Sequence, residues 1–416
     1  MLRRIDLKNW KSFSEASLNI ERLTVLIGTN ASGKSNALDA LEFLARTAHG
    51  LELGAAIGGN ATINGIRGEL EWAAHKNADK FTLNVVVGTE DEKTDYEYSI
   101  TVAIIEGGAE LSGEELTRVK YQGSNPRPLR LFWTDNAEKD APGITARLYN
   151  KKSGSKRPLR RNVSILSQLD LDPDLRQEIK DGINLTIKSL RDVFILDPNP
   201  GAMRDFSRLS ETLQKDGANL AGVIMALDGD RREKIEKAIT ELASNIPEKD
   251  ITRVWCEYVG RHKSDAMLYC EEAWRDDEVF EVDARGMSDG TLRFICVVST
   301  LLLRPQGSTV VIEEIDNGLH PSRALTLLNA ISKISESRQI ELIITTHNVA
   351  LLDSLPPSRI RSISVAARSP YSGASTIVSL DDVPLLAGLI AEGEVGKLSK
   401  NGRLEEQLKK VMQDGR

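Results

Sequence analysis

The stretch TVLIGTNASGKSNALDAL, Thr24–Leu41, is the point from which the rest of the chain can be read. Leu23–Ile27 is a continuous apolar run of the kind shown by a strand covered on both faces. Gly28–Ser32 interrupts it, and from Gly33 onward Leu38, Leu41, Phe43 and Leu44 recur with helical spacing. The order strand, glycine loop, helix is therefore expected here. Upstream, Leu2–Leu7 alternates as a strand and Leu18–Ile20 follows it; downstream, the glycine-rich sequence from Gly50 to Gly68 closes the unit.

The loop GTNASGKS, Gly28–Ser35, satisfies G-x-x-x-x-G-K-[ST]. Two glycines allow the backbone to curl so that successive N–H groups point inward at an anion, and the helix start adds its positive dipole end. Lys34 supplies a charge for β- and γ-phosphates, and the Ser35 hydroxyl suits Mg²⁺. Asn30, Ala31, Ser32, Gly33, Lys34, Ser35 and Asn36 are the candidate nucleotide-binding residues. The plain alternative, a glycine turn beside an exposed lysine, does not account for the buried strand before it and the helix after it.

A second strand, TVVI at Thr309–Ile312, ends in Glu313 and Glu314. Neighbouring strand side chains point to opposite faces, but at a strand end the second carboxylate can turn into the loop. The expected division has Glu313 on the metal and Glu314 as the general base that polarises water. A third run, IELIITTHN, ends in His347, which stands where a sensor of the γ-phosphate is expected.

Composition frames these motifs. The 416 residues are 40% hydrophobic and 28% charged, ordinary for a folded protein. The net charge of −7 excludes a surface that is basic all over, so any nucleic-acid contact has to come from a local patch. Such a patch exists in RLYNKKSGSKRPLRR, Arg147–Arg161, which holds seven basic residues and no acidic one. Lys151, Lys152, Lys156, Arg157, Arg160 and Arg161 are the candidate contacts to DNA or RNA phosphates, against the simpler reading of a solvated loop. Cys256, Cys270 and Cys296 lack CxxC spacing and are expected as buried apolar residues in a reducing compartment. The N-terminus MLRRIDLKNWKSF has no apolar signal core. The most apolar run, ICVVSTLLL at 295–303, is too short for a bilayer that takes about 20 residues. A cytoplasmic protein with no membrane partner is expected.

The expected organisation is an α/β fold split in sequence: 1–68 as its N-terminal part with the phosphate loop, 69–280 as a β-plus-helical insert, and 281–416 as its C-terminal part. Within the insert, FTLNVVVG and YEYSITVAII alternate as antiparallel strands, 165–245 turns helical, and strand-like runs return at 251–258 and 266–273. After it come a helix (Thr291–Leu303), the strand Thr309–Ile312, a helix (Arg323–Ser335), a strand (Ile340–Thr345), a hairpin-like pair at 361–367 and 375–379, and a polar helical tail (Leu404–Met412).

RGMSDGTLRF, Arg285–Phe294, taken alone is an ordinary helix cap. In the order phosphate loop, insert, S-D-G-T, acidic strand, strand ending in His, the chain resembles the ABC-type ATPase heads of the SMC/RecF/OLD group over nearly its whole length. In particular it resembles stand-alone bacterial ATPases with an AAA-type label, in which DGANLAGVI, MSDGTLRF, IEEIDNGLHP and IITTHNVALLD are typical. The resemblance implies a P-loop sheet with an antiparallel β-lobe carrying a helical insert. It implies that Met287–Thr291 is a signature loop, with Ser288, Asp289 and Gly290 meeting the γ-phosphate held by a second copy, and that Asn317–His320 lies across the dimer junction. Asn9–Phe13 matches a segment that approaches the nucleotide, with Lys11 as its candidate. Three departures stand out: Ile315 replaces a proline, Asp289 replaces a glycine, and no Q-loop residue can be assigned, Arg67 and Gln122 being the two candidates.

The implied activity is hydrolysis of ATP with Mg²⁺ by a homodimer or higher oligomer that closes around two nucleotides. The helical insert lacks the sustained heptads of SMC arms, and the roughly 70 residues after His347 are few for a TOPRIM nuclease. The chain therefore reads as an ATPase without its own effector, and the resemblance associates such heads with a nuclease or toxin-like protein encoded nearby in anti-phage defence. A RecF-like DNA-binding ATPase in repair or chromosome maintenance, and a nucleotide-clamped scaffold with little turnover, are the alternatives. A transporter subunit fits the large insert poorly.

Overall fold

A computed structural model of the chain describes residues 1–123, 125–136, 141–246, 251–273, 278–346 and 361–382. These fall into two compact units, one of residues 1–194 with 361–382 and the other of residues 195–346.

The first unit opens with the antiparallel pair β1 (Leu2–Trp10) and β2 (Phe13–Asn19), then β3 (Leu23–Ile27) and helix α1 (Lys34–Ala48). All five residues of β3 are buried, as its continuous apolar run requires. Short α2 (Leu53–Gly58) leads to strands β4 (Lys80–Gly88), β5 (Thr94–Ile105), β6 (Gly108–Gln122), β7 (Asn125–Thr134), β8 (Gly143–Leu148) and β9 (Ser155–Arg160), each antiparallel to the next. Helices α3 (Ile165–Leu169) and α4 (Gln177–Arg191) complete this stretch, and α4 buries Ile179, Ile183, Ile187 and Leu190 along one stripe.

The second unit begins in β10 (Val193–Leu196) and continues through α5 (Pro200–Met203), β11 (Ser207–Arg208), α6 (Leu220–Ala226) and α7 (Gly229–Ala243). Strands β12 (Ile251–Val259), β13 (Asp265–Ala273) and β14 (Val279–Asp283) follow. Its last elements are α8 (Asp289–Leu303), β15 (Thr309–Ile312), α9 (Pro321–Arg338) and β16 (Glu341–Thr346). β15 and β16 pair in parallel with every residue buried, and β13 is the hub of a small antiparallel sheet with β11, β12 and β14.

The chain then returns to the first unit as the hairpin β17 (Ile363–Arg368) and β18 (Ser375–Ser379). The sheet order in that unit is β3-β17-β18-β2-β1-β4-β5-β6-β7-β8-β9. β17 runs parallel to β3, so a parallel nucleotide-type strand is joined to an antiparallel lobe in one sheet. This is the mixed α/β head with β-lobe and helical segments that the sequence implies.

Packing fixes the helix that matters most. Trp10 of β1, Phe43 of α1 and Phe81 of β4 are all fully buried and meet pairwise, with centroids 4.7–5.9 Å apart. Each such pair contributes about 0.5–1.5 kcal/mol beyond its burial. The Trp10 indole also donates to the carbonyl of Asn36 at 2.7 Å, which pins the first turn of α1. Cys256, Cys270 and Cys296 are buried thiols, as expected from their spacing. Among the described residues no helix is long and apolar enough to cross a membrane.

Candidate nucleotide site

The glycine loop joins β3 to α1 within the first unit. Gly28 has φ +152°, and a Cβ there would lie 2.3 Å from the carbonyl oxygen of Ala366 in β17. Gly33, at φ +108°, is the residue before α1, and a Cβ there would meet Ser375 and the ring of Phe13. Both positions therefore demand glycine. Ala31 also takes a left-handed conformation, φ +62°.

No side chain caps α1 and no acidic residue stands in its first turn. Ser288, Asp228, His320 and Ser164, by contrast, cap their own helices with side-chain acceptors. α4 also begins without a side-chain cap; what sets α1 apart is the glycine loop before it, which leaves the positive end of the helix dipole beside a turn that can receive an anion. Lys34 is buried, and its ammonium donates to the carbonyls of Gly28 (2.8 Å) and Thr29 (3.0 Å), across the mouth of the same loop. Ser32 is 1% exposed, and its hydroxyl has no hydrogen-bond partner among the described residues. A buried donor without a partner inside a glycine loop is free to bond a ligand or water there. Asn30 and Ala31 are exposed on the rim, while Ser35 and Asn36 begin α1, Asn36 donating to Ser12 Oγ at 2.8 Å. These features fit a polyphosphate, with Ser35 presenting a hydroxyl suited to Mg²⁺.

One charged group beside the loop escapes a sequence reading. Asp39, one turn after Ser35, is 2% exposed and binds both Lys11 (2.5 Å) and Arg67 (2.7 Å). Lys11 also donates to the Arg67 carbonyl, and Arg67 NH2 approaches the Ser35 carbonyl at 3.3 Å. Burial lowers the Lys11 pKa, opposed by the Asp39 charge and hydrogen bond. Lys11 is therefore a buried partner of α1, whereas half-exposed Arg67 stands at the lip. A cavity of about 860 Å³ opens here, lined by Lys11, Ser12, Asn36, Arg67, Trp72 and His75 among others.

The second unit carries the acidic strand end and the signature stretch. Buried β15 delivers Glu313, whose amide bonds to the Leu196 carbonyl, and Glu314, which turns with φ +47°. Thr345 Oγ1 accepts the Glu314 amide at 2.8 Å, and Asp316 accepts from Thr346 Oγ1 at 2.6 Å, so the end of β16 shapes the acidic turn. Ile315, one of the departures noted in the sequence, is buried at 2% exposure. His347 lies outside the described residues. Among the described residues no group of three or more His, Cys, Asp or Glu is arranged to hold a metal alone.

Ser288 caps α8, its Oγ accepting the Thr291 amide at 3.1 Å, and Ser288 and Asp289 are exposed. Gly290 is buried against Leu319 and the Gly318 carbonyl, where a Cβ would sit at 3.3–3.4 Å. The signature stretch and the Asn317–His320 loop are therefore packed together. Missed by sequence reasoning is Arg204, whose guanidinium reaches Met287 and Asp289 from 85 and fewer residues away.

The basic run is not a loop but the β8–β9 hairpin at the outer end of the sheet. Lys151, Lys152, Lys156 and Arg160 are exposed and Arg157 is half-exposed near Asp172 (3.7 Å). Arg161 differs: it is buried, donates to the Leu111 carbonyl at 2.7 Å and pairs with Glu110 at 3.0 Å. Its charge is consumed inside the fold, so it does not belong to the basic surface.

Comparison with known proteins follows this geometry. A family model described as "AAA domain, putative AbiEii toxin, Type IV TA system" matches residues 23–353. The crystal structure of an SmcHead bound to the C-winged helix domain of ScpA aligns with a TM-score of 0.53 at 14% identity, covering 91% of this chain and 97% of that one. An Smc head with an extended coiled coil, bound to the C-terminal domain of ScpA derived from Pyrococcus furiosus, aligns at 12% identity and TM-score 0.49 over 94% of this chain and 99% of that one. The chromosome partition protein Smc of Methanocaldococcus jannaschii is 50% identical over 44 residues, which are 10% of this chain and 4% of that protein. The match thus spans only a small part of that relative.

Proposed function

The chain belongs to this AAA-domain family and has an SMC/RecF-like, ABC-type head fold, and on that premise we propose that it binds ATP with Mg²⁺, dimerises around the nucleotide and hydrolyses it. The observation that carries this is the loop at Gly28–Ser35: two positions that demand glycine before the start of α1, a buried Ser32 hydroxyl without a hydrogen-bond partner among the described residues, and Lys34 bridging the loop mouth. The Lys34 ammonium exchanges its two carbonyl partners for β- and γ-phosphate oxygens. The cavity lined by Asn36, Arg67 and Trp72 would receive the nucleoside end.

In hydrolysis, water attacks the γ-phosphorus in line, the bond to the β–γ bridging oxygen breaks, and Glu314 takes the proton. Ser35 and Glu313 are the residues that would hold Mg²⁺, which would supply positive charge to the phosphate oxygens. His347 senses the γ-phosphate. Ser288, Asp289 and Gly290 are presented to the nucleotide of a second copy, so each site is completed in trans and ATP biases the closed dimer.

The dimer would then hold and release a protein effector, nuclease or toxin-like and encoded nearby, in anti-phage defence in the cytoplasm. Support comes from the family's description, which names a toxin system, and from the solved head that carries a winged-helix protein partner. The exposed cations of the β8–β9 hairpin favour a second reading, a RecF-like ATPase that contacts DNA. Light scattering tests the central proposal. With Mg²⁺ and ATP, Glu314→Gln should double in mass and Lys34→Ala should not; an identical mass with and without ATP for Glu314→Gln contradicts the proposal. A stable dimer that releases no phosphate would leave the scaffold reading.

A further inference from the structure

The signature stretch is gripped by a residue far from it in sequence. Arg204, which follows α5, directs NH1 at three carbonyls: Ala284 (3.3 Å), Arg285 (2.9 Å) and Met287 (2.8 Å). Its NH2 pairs with Asp289 Oδ1 at 2.5 Å. One planar guanidinium thus spans the loop from 284 to 289, a geometry an ammonium cannot reproduce. On the helix side, Ser288 is fixed by its cap to Thr291. The loop is therefore held along its length by Arg204 and at its helix end by the Ser288 cap.

Arg204 is itself held in place. The segment 197–219 closes on itself through Asp197 N to Lys215 O and Asn199 N to Asp216 O, both 2.8 Å. Gly217, at φ +73°, lies so near α8 that a Cβ would come within 2.5 Å of Cys296 Sγ. Arg293 of α8 reaches the opposite way and donates to the Pro198 carbonyl at 3.0 Å. Strap and helix each give the other an arginine, so the strap cannot shift without moving the loop.

We propose that Arg204 is a positioning residue for nucleotide binding in trans. It holds Ser288 and Gly290 in the conformation that receives the γ-phosphate of a second copy, and Asp289 is its handle on the loop. This rests on the dimer reading above. It also gives a physical role to an aspartate that stands where the resembled family has glycine. Arg204 touches no nucleotide; it acts through the loop.

The test uses the full chain carrying Glu314→Gln with saturating Mg²⁺ and ATP, and reads the dimer dissociation constant by light scattering across protein concentrations. A fluorescent ATP analogue reports nucleotide affinity at protein concentrations below dimerisation. Arg204→Gln is expected to weaken the dimer at least tenfold while single-copy affinity changes less than twofold. Arg204→Lys should recover only part of the loss. A merely structural arginine would instead lower thermal stability and both affinities together. Ser288→Arg separates the two claims. If it abolishes the dimer while Arg204→Gln dimerises like the parent, the role of Arg204 is overturned and the dimer reading stands. If Ser288→Arg also dimerises normally, the dimer reading fails. Should Arg204→Gln not fold, Arg204→Lys decides: a weakened dimer at unchanged single-copy affinity supports the positioning role, and a parent-like dimer overturns it.

Discussion

Thr345 Oγ1 accepts the backbone N–H of Glu314 at 2.8 Å, and the next amide, Ile315, donates to the Thr345 carbonyl at 3.0 Å. This two-point splice holds Glu314 at φ +47°, a conformation that non-glycine residues reach only with support. Thr345→Val keeps the shape and removes one acceptor, leaving a part-buried amide without its partner at a cost of about 1–3 kcal/mol. Phosphate release should fall roughly tenfold, the effect of about 1.4 kcal/mol on a barrier, with ATP affinity little changed. Steady-state kinetics beside equilibrium binding check the split, and equal losses in both would assign Thr345 to general stability.

Gly28 faces the Ala366 carbonyl, and backbone cannot step aside as a flexible side chain can. Gly28→Ala places a methyl 2.3 Å from that oxygen at φ +152°. A melting scan should show a loss of at least about 1–3 kcal/mol from the strained backbone, and ATP binding should disappear. A variant that melts and binds ATP like the parent would mean that the loop adopts another path.

Much of this was legible in sequence because the signals are local. The runs Leu23–Ile27 and Thr309–Ile312 end where the strands end, since continuous burial leaves no ambiguity of face. The alternation in FTLNVVVG and YEYSITVAII likewise finds its antiparallel pair β4–β5. What escapes depends on partners distant in the chain. Asp39 is one polar residue on a helix until Lys11 and Arg67 meet it from 28 residues away on either side. Arg204 has no local feature that points to Asp289, 85 residues on. The basic run reads as a loop because Pro158 and Gly154 suggest one, yet Pro158 sits on the edge strand β9, where a missing N–H costs no ladder bond.

Glu114 provides a pH signature in the lobe. Its carboxylate accepts from Tyr98 OH (2.9 Å), Ser164 Oγ (2.8 Å) and the amides of Ile165 (2.6 Å) and Leu166 (2.8 Å). Burial nevertheless pushes it up to about 7 from an ordinary 4.5, with those donors opposing the rise. Between these values the folded chain holds a proton that the unfolded chain has lost. Its contribution to stability is therefore full below pH 4.5 and falls as pH rises to about 7, by up to roughly 3 kcal/mol. Denaturant titrations at several pH values should show a flatter profile for Glu114→Gln than for the parent; parallel profiles would contradict the shift.

The hairpin gives the DNA reading a sharp form. Neutralising Lys151, Lys152, Lys156, Arg157 and Arg160 to Gln should abolish any duplex binding and leave the melting temperature within a few degrees, because their side chains are exposed or half-exposed. Arg161→Gln should instead destabilise the lobe by about 1–3 kcal/mol through its lost bonds to Leu111 and Glu110. Binding by electrophoretic shift that survives the five changes would remove the hairpin from the interface.

The most direct measurement is phosphate release by the purified chain with Mg²⁺ and ATP, with and without double-stranded DNA, using Glu314→Gln and Lys34→Ala as controls. The account expects turnover in the parent and none in either variant, with ATP retained by Glu314→Gln and not bound by Lys34→Ala. Stimulation by DNA would favour the RecF-like role, and indifference to it a protein effector. A Glu314→Gln protein that hydrolyses ATP at the parent's rate would contradict the account at its centre.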